Sequence, residues 1–533
     1  MIFESSNGMM KKQGRDRLLN KGAVQAMVIM PKNSTGRINK PRKRIPFSVV
    51  APLLGGTLLG YVFITNSWKM SALVFGALIV STITFFWTEY ALFLFFFLLL
   101  MTTDAVYEGM FEQLDFFAIP EIDLPGLPSA LNLVFLLMFA ISMVKHYGFE
   151  KKSSVVRLRY LLVYTSILLM ALGTGAAHPK ATSDLLRLEF LKMLLPVLCF
   201  FLCINVFDDY NKIKKMIWVL FSVCVIKSII LDLYYLAGRG YPFGDYRIVS
   251  YDTAELMAFV IMIIYCIMMI SYEKISGMRA WLTVLAGSPL LFAVLFSFRR
   301  GHWIGMLLSL GLLYTWSPRR KRRRLMPYFS GLMVLLVPVT CFFLLTSASL
   351  SANDDTILSK LSSRFMTLFD PEQASNRHHI YETIQTMKDI MKSPFFGLGL
   401  ASEHSPVDED LGAWAEELQP LQVVHNTFVY MWMKTGLLGF LFLLWCSYKY
   451  AKKVMYYAVN YRQSENWPLT MSMGSGIGIW FIMFITGPVP FYLHQTYLIA
   501  LFSALVLSLI RQDEQQHLKM KFSERTAERQ KGS

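Results

Sequence analysis

The chain has 533 residues, of which 54% are hydrophobic and 17% charged, with a positive mean hydropathy; this excludes a soluble globular fold and, with repeated apolar runs of about 20 residues, predicts membrane-spanning helices. Lys and Arg number 52 against 36 Asp and Glu, a net +16, but the bases lie mainly in short loops and both tails, where they orient membrane helices, so the charge is read as topology rather than nucleic-acid binding. All six cysteines fall inside apolar segments, which supports neither a disulfide framework nor a zinc site.

Residues 1–46 carry eleven Lys or Arg against two acids and lack the apolar core and cleavage site of a signal peptide. This tail is expected to be uncleaved and cytoplasmic. Apolar runs then predict helices near 47–65, 70–86, 89–103, 128–144, 159–176, 191–206, 216–237, 252–271, 280–297, 302–316, 327–346, 426–447, 469–487 and 494–510. The second and third are separated only by Trp87-Thr88, and the ninth and tenth meet at Arg299-Arg300. The expected fold class is an all-α polytopic membrane protein with 12–14 transmembrane helices and one long external loop.

Loop charge tests this count independently, because cytoplasmic loops are enriched in Lys and Arg. With the N-terminus inside, the basic segments 145–159, 271–279, 319–324 and 449–462 and the tail after Arg511 all fall inside, together with the mildly basic 208–215. The segment 104–127, with six acids and no Lys or Arg, and the loop 347–424, with twelve acids and five bases, fall outside. Within that loop Ile380, Ile384, Met387 and Met391 recur at helical spacing, predicting an amphipathic helix over 377–392 that Ser393-Pro394 ends and Phe395-Phe396-Gly397-Leu398-Gly399 turns back toward the membrane. A lid or platform on the outer surface is expected.

On an acidic outer surface the few arginines are informative, since a guanidinium grips phosphate oxygens and stays charged at any working pH. They are Arg239 and Arg247 before the eighth helix, Arg299 and Arg300 at the outer end of the ninth, and Arg364 and Arg377 in the long loop. Each alone is more often an interfacial anchor or a partner for a local acid; several converging on one histidine would form an anion site. His425, at the head of the twelfth helix, is either a solvated cap residue or a general base, with an unperturbed pKa near 6.5. Among weaker features, His378 and His379 are adjacent and cannot both face one site on a helix, so a metal pair is not expected. Asp408-Glu409-Asp410 has a metal-binding pattern that acidic loops also produce by chance. Lys227 and Asp232 lie inside the seventh helix, and there is no phosphate-binding Gly-rich loop of the nucleotide-hydrolysing kind.

The ordered set Tyr246-Arg247, Ser297-Phe298-Arg299-Arg300-Gly301-His302-Trp303, Arg364-Phe365, Asn376-Arg377, Lys392-Ser393-Pro394-Phe395-Phe396-Gly397-Leu398-Gly399, and His425-Asn426 with Gly436 and Gly439 resembles the bacterial O-antigen ligase and polymerase superfamily over roughly residues 240–440. The resemblance implies glycosyl transfer on the external face of the inner membrane, from a polyprenyl-diphosphate-linked glycan to an acceptor hydroxyl on a glycan or lipid core, without metal, nucleotide or other cofactor. It implies His425 as the base toward the acceptor, Arg300 and Arg377 in catalysis, and Arg247, Arg299, Arg239 and Arg364 at the diphosphate. The implied plan is a cytoplasmic tail 1–46, transmembrane helices 47–237, a ligase-like core 238–450 containing the loop 347–424, transmembrane helices 451–510 and a cytoplasmic tail 511–533. Both termini would be cytoplasmic, the partners being the glycan donor, its acceptor and membrane lipids. The rival expectation is a transporter or flippase for a polysaccharide or lipid-linked oligosaccharide, which would bind its substrate near the bilayer midplane through broken helices.

Overall fold

A computed structural model of the chain describes residues 68–101, 130–150, 158–178, 181–236, 254–272, 278–297, 299–324, 326–327, 374–405, 424–487 and 493–531. Backbone contacts divide the chain into Met1–Ala72 and Leu73–Ser533. The elements below belong to the second unit, which the first of them enters at Leu73.

Every regular element among the described residues is helical: α1 (Trp68–Phe86), α2 (Thr88–Met101), α3 (Ala130–Met143), α4 (Leu158–Ala176), α5 (Ser183–Val206), α6 (Tyr210–Leu236), α7 (Ala254–Tyr272), α8 (Met278–Phe296), α9 (Arg300–Trp316), α10 (Ala374–Ile390), α11 (Thr427–Asn460), α12 (Trp467–Gly474), α13 (Gly476–Thr486) and α14 (Leu493–Lys531), with a π turn at Val144–Phe149 after α3. Eight helical stretches, one of them α12 with α13, are long and apolar enough to cross a membrane, and α1, α2 and α7 supply shorter apolar stretches. The chain is thus an all-α polytopic membrane protein. The expected helices 47–65 and 327–346 and the acidic segment 104–127 lie outside the described residues.

Helices α5 and α6 begin earlier than expected, at Ser183 and Tyr210, and three other elements differ for a local reason. Helix α11 continues to Asn460 and α14 to Lys531, because their polar extensions hold each other. Asp513 of α14 accepts hydrogen bonds from Tyr457 and Ser464 and, at 2.6 Å, from Asn466 Nδ2. The segment expected as one helix over 469–487 is divided at Ser475, whose carbonyl accepts from Ser309 Oγ of α9 at 2.6 Å. A Cβ on Gly305 of α9 would stand 3.0 Å from the Ile479 backbone, and one on Gly478 would stand 3.0 Å from Ser309 Oγ, so small residues let α9 and α13 pack closely and antiparallel.

The main core is a sheath of apolar side chains between helices, including a ring cluster in which Tyr497 of α14 lies 5.3 Å from Phe95 and 5.1 Å from Phe135. Two buried polar side chains are bonded within it. Lys227 of α6 donates to the Leu100 carbonyl, and Tyr497 Oη donates to Asn132 Oδ1 at 3.2 Å.

A second, smaller core joins α4, α5 and α11 to the segment that follows α10. Gly436 has φ +67° and ψ −172°, so α11 is two helices across a break. The break frees the Met433 carbonyl, which accepts from Leu398 N at 2.7 Å, while Leu437 N–H, its lost helical partner, donates at 3.1 Å to the Pro394 and Phe395 carbonyls. Leu400 N donates to Ala171 O of α4 at 2.9 Å. The backbone following α10 is thereby wedged between α4 and α11 with its polar groups satisfied, the condition for irregular chain beside membrane helices.

Glycine is required at this wedge. Gly397 and Gly399 have φ +71° and +88°, and a Cβ there would fall 2.6 Å from Gly436 N and 2.2 Å from Gly175 N.

A candidate acid–base site at the head of α11

Asn426 caps α11, its side-chain oxygen accepting from Phe428 N at 3.0 Å and Val429 N at 3.2 Å, which fixes the residue before it at the helix mouth. That residue is His425. Its backbone N–H donates to Glu382 Oε2 at 2.9 Å, and its ring Nδ1 lies 3.0 Å from Oε2 and 3.2 Å from Oε1 of the same carboxylate. The imidazole is partly exposed, whereas Glu382 is 1% exposed. A buried carboxylate thus orients the histidine through Nδ1, the arrangement that makes Nδ1 the donor and Nε2 the basic atom.

Helix α10 supplies Glu382. Of its apolar stripe, Ile380, Ile384 and Met391 are exposed and Met387 packs on the smaller core, while Glu382, Thr386, Asp389 and Ile390 are buried. The reason is that α10 leans on the polar head of α11 and on the chain after the glycine wedge. Asp389 accepts from Ser405 N at 2.7 Å and Ser405 Oγ at 2.9 Å, and Lys392 pairs with it at 2.6 Å. His404, 5% exposed, shares its Nδ1 with the Ser405 carbonyl at 2.8 Å and brings Nε2 to 3.9 Å from Glu382 Oε1.

Burial pushes the Glu382 carboxyl up, but the hydrogen bonds and charge of His425, with a smaller contribution from His379, outweigh it and hold it below the ordinary Glu value. Asp389 is likewise drawn down against its burial by Lys392 and Ser405. Both are therefore carboxylates at neutral pH.

The two histidines of α10, expected not to face one site, both approach His425, their own ring centres 5.8 Å apart. The His379 ring centre is 4.1 Å from that of His425, and the His378 ring is 6.4 Å away. One ligand atom each from His379, Glu382 and His425 lie within 4.8 Å of one another, so these residues could hold a metal ion.

Below this site a buried pair braces the wedge. Lys434 Nζ of α11 lies 2.8 Å from Glu189 Oε1 of α5 and donates to the Ser402 carbonyl at 2.7 Å. Glu189 Oε2 accepts from Ala401 N at 2.7 Å, which holds Ala401 at φ +61°.

Of the arginines, Arg377 is half-buried on α10, five residues before Glu382, and its Nε has no hydrogen-bond partner among the described residues. Arg299 is the half-buried N-cap of α9, its backbone N–H bonded to Ser297 Oγ at 3.3 Å. Arg300 opens the helix. Arg299 and His425 both stand at one end of the bundle. Antiparallel packing carries the start of α9 toward the end of α13, where Thr427 Oγ1 donates to Gly487 O at 2.7 Å and Phe428 meets Phe484 at 5.7 Å. A helix N-terminus with paired arginines at this end favours an anion. Arg239, Arg247, Arg364 and Asp408-Glu409-Asp410 lie outside the described residues.

Sequence reasoning missed Glu382, Glu189, Lys434 and His404. Glu382 left one signal, its spacing of three from His379 on a helix; Glu189 and Lys434, far apart in sequence, left none. A cavity of about 200 Å³ lined by Trp87, Lys145, His146, Asp208 and Lys212 lies near the C-terminal end of α5, away from this chemistry.

The fold and the paired histidine and carboxylate define a multi-pass membrane protein with a polar site at the mouth of one helix. Residues 285–444, which contain α10 and the head of α11, match the model of the family described as O-Antigen ligase. That match supports the O-antigen ligase and polymerase superfamily for this chain. No curated protein matches the sequence.

Proposed function

We propose that the protein transfers a glycan from a polyprenyl-diphosphate carrier to an acceptor hydroxyl on the external face of a bacterial inner membrane. The observation that carries this reading is the Glu382–His425 pair at the head of α11, 3.0 Å apart, inside the segment that matches the family. Glu382 holds His425 through Nδ1 and the backbone N–H, which makes Nε2 the basic atom that takes the proton of the acceptor hydroxyl. The acceptor oxygen bonds to the anomeric carbon as the bond from that carbon to the phosphate oxygen breaks. The diphosphate departs with the electron pair, and arginines stabilise its charge.

Arg300 and Arg377 are assigned this catalytic role, with Arg247, Arg299, Arg239 and Arg364 at the diphosphate. A diphosphate leaving group is already activated, so the proposed step uses neither nucleotide nor metal. A single displacement inverts the anomeric centre, and retention in the product would sink that step.

Purified protein, a defined polyprenyl-diphosphate glycan and an acceptor test the reading. His425→Ala and Arg300→Ala should lose product while keeping the wild-type elution profile, with His425→Ala down by about 10²–10⁴-fold. Wild-type protein that moves the donor across vesicles without forming a glycosidic bond would instead be a transporter.

A further inference from the structure

His379, Glu382 and His425 bring two imidazoles and one carboxylate together from two elements, His379 and Glu382 one turn apart on α10 and His425 from the mouth of α11. We propose that these three side chains form a site for a borderline divalent cation of the zinc class, and that filling it shuts off the site by engaging His425. The blocking part rests on His425 being the acceptor base; the cation site itself does not.

The donor set suits such a cation. Imidazole and carboxylate together favour zinc and its neighbours over magnesium or calcium, which take oxygen ligands. The geometry is close to what zinc needs. Bonds of about 2.0–2.1 Å place the ligand atoms of a tetrahedral ion roughly 3.3 Å apart. Here Glu382 Oε2 and His425 Nδ1 are 3.0 Å apart, and all three ligand atoms lie within 4.8 Å, so a small rotation of the His379 ring closes the site.

Burial also lends the site rigidity. His404 stands behind the carboxylate, its Nε2 3.9 Å from Glu382 Oε1 and its Nδ1 anchored on the Ser405 carbonyl. A cation ligated here takes Nδ1 of His425 from its carboxylate and withdraws the lone-pair density that makes the ring a base. His379 has no part in the glycosyl-transfer scheme above, which makes it the discriminating residue.

Untagged full-length protein in detergent, stripped with chelator, is titrated with ZnCl₂ against a chromophoric zinc indicator, and turnover is measured across the same series. MgCl₂ serves as the comparison salt. Wild type should bind one zinc that His379→Ala weakens by at least tenfold, and zinc should inhibit wild type while His379→Ala keeps its basal turnover and resists inhibition. His379→Ala retains all the cysteines, so adventitious thiolate binding would be unchanged by it. Equal zinc affinity in wild type and His379→Ala overturns the proposal. Tight zinc binding lost in His379→Ala but without inhibition overturns the blocking role, and points to the base assignment of His425 as the failure. His425→Ala inactive with zinc affinity unaltered would keep the proposed function and remove the cation site.

Discussion

Replacing Lys434 with Met should cost about 3–5 kcal/mol of stability, the range for removing one partner of a buried ion pair. Lys434 is 0% exposed and Glu189 4%, and two short contacts converge on the ammonium, Glu189 Oε1 at 2.8 Å and the Ser402 carbonyl at 2.7 Å. Its loss leaves a buried carboxylate without its counter-charge and one carbonyl without a donor. Most of the cost is the stranded charge, since an unsatisfied neutral acceptor accounts for about 1–3 kcal/mol.

The double variant Glu189→Gln, Lys434→Met separates the two terms, because the Gln carbonyl can still accept from Ala401 N while carrying no charge. It should recover about 2 kcal/mol or more of the single-variant loss. Buried free cysteines, Cys199, Cys203, Cys224 and Cys266, make a thiol-reactive fluorophore a direct reporter of unfolding in detergent. A double variant melting no higher than Lys434→Met would refute the claim that the stranded carboxylate is what destabilises.

Four further outcomes follow from the same geometry. Glu382→Gln should lower turnover by about 10–10³-fold, less than loss of the base itself, with the pH–rate profile displaced because the charge opposite Nδ1 is gone; a profile superimposable on wild type would show that Glu382 does not act through His425. Gly399→Ala, whose Cβ would fall 2.2 Å from Gly175 N at a φ of +88°, should fail to insert the wedge and drop the yield of monodisperse protein, whereas Gly76→Ala, with open space around it, should behave as wild type. Glu382 titrates below its ordinary 4.5 in the folded protein, so its stabilising contribution is complete above that pH and is lost as pH falls through the lower folded value; the acid limb of the melting-temperature profile should flatten in Glu382→Gln. Ile384 is 46% exposed on the apolar face of α10, and a cysteine placed there should react with a bilayer-confined maleimide faster than with a membrane-impermeant one, the reverse order showing that this face meets water.

How much of this was legible in the sequence depended on whether the signal was local. Apolar runs located the helix centres, and the pairing of an apolar stripe with Ser393-Pro394 located α10, because both depend on residues a few positions apart. Helix ends were less visible. The extensions of α11 and α14 are polar and are held by Asp513 receiving Tyr457, Ser464 and Asn466, contacts between distant segments. The site divides the same way. His425 stands out as a titratable group at a helix mouth and Gly397 and Gly399 as turn signals, whereas the break at Gly436 falls inside an expected helix; the partner each requires lies elsewhere in the chain: Glu382 for His425, Gly175 for Gly399.

Periodicity finds α10 but does not say which way its apolar side faces. An apolar stripe specifies which side leaves water, and in a soluble protein that side is the core. Beside a membrane a helix has two apolar places to put it, the protein interior and the lipid. Exposed Ile380, Ile384 and Met391 run on to exposed Phe395 and Phe396, and the chain there is bonded to α11, whose Leu438 and Leu441 are also exposed, so one apolar surface passes continuously from the platform to a membrane-length helix. With most of the stripe turned outward, Glu382, Thr386 and Asp389 take the buried face beside Ile390. Packing a carboxylate under His425 therefore needs the apolar side of α10 to be satisfied by something other than protein.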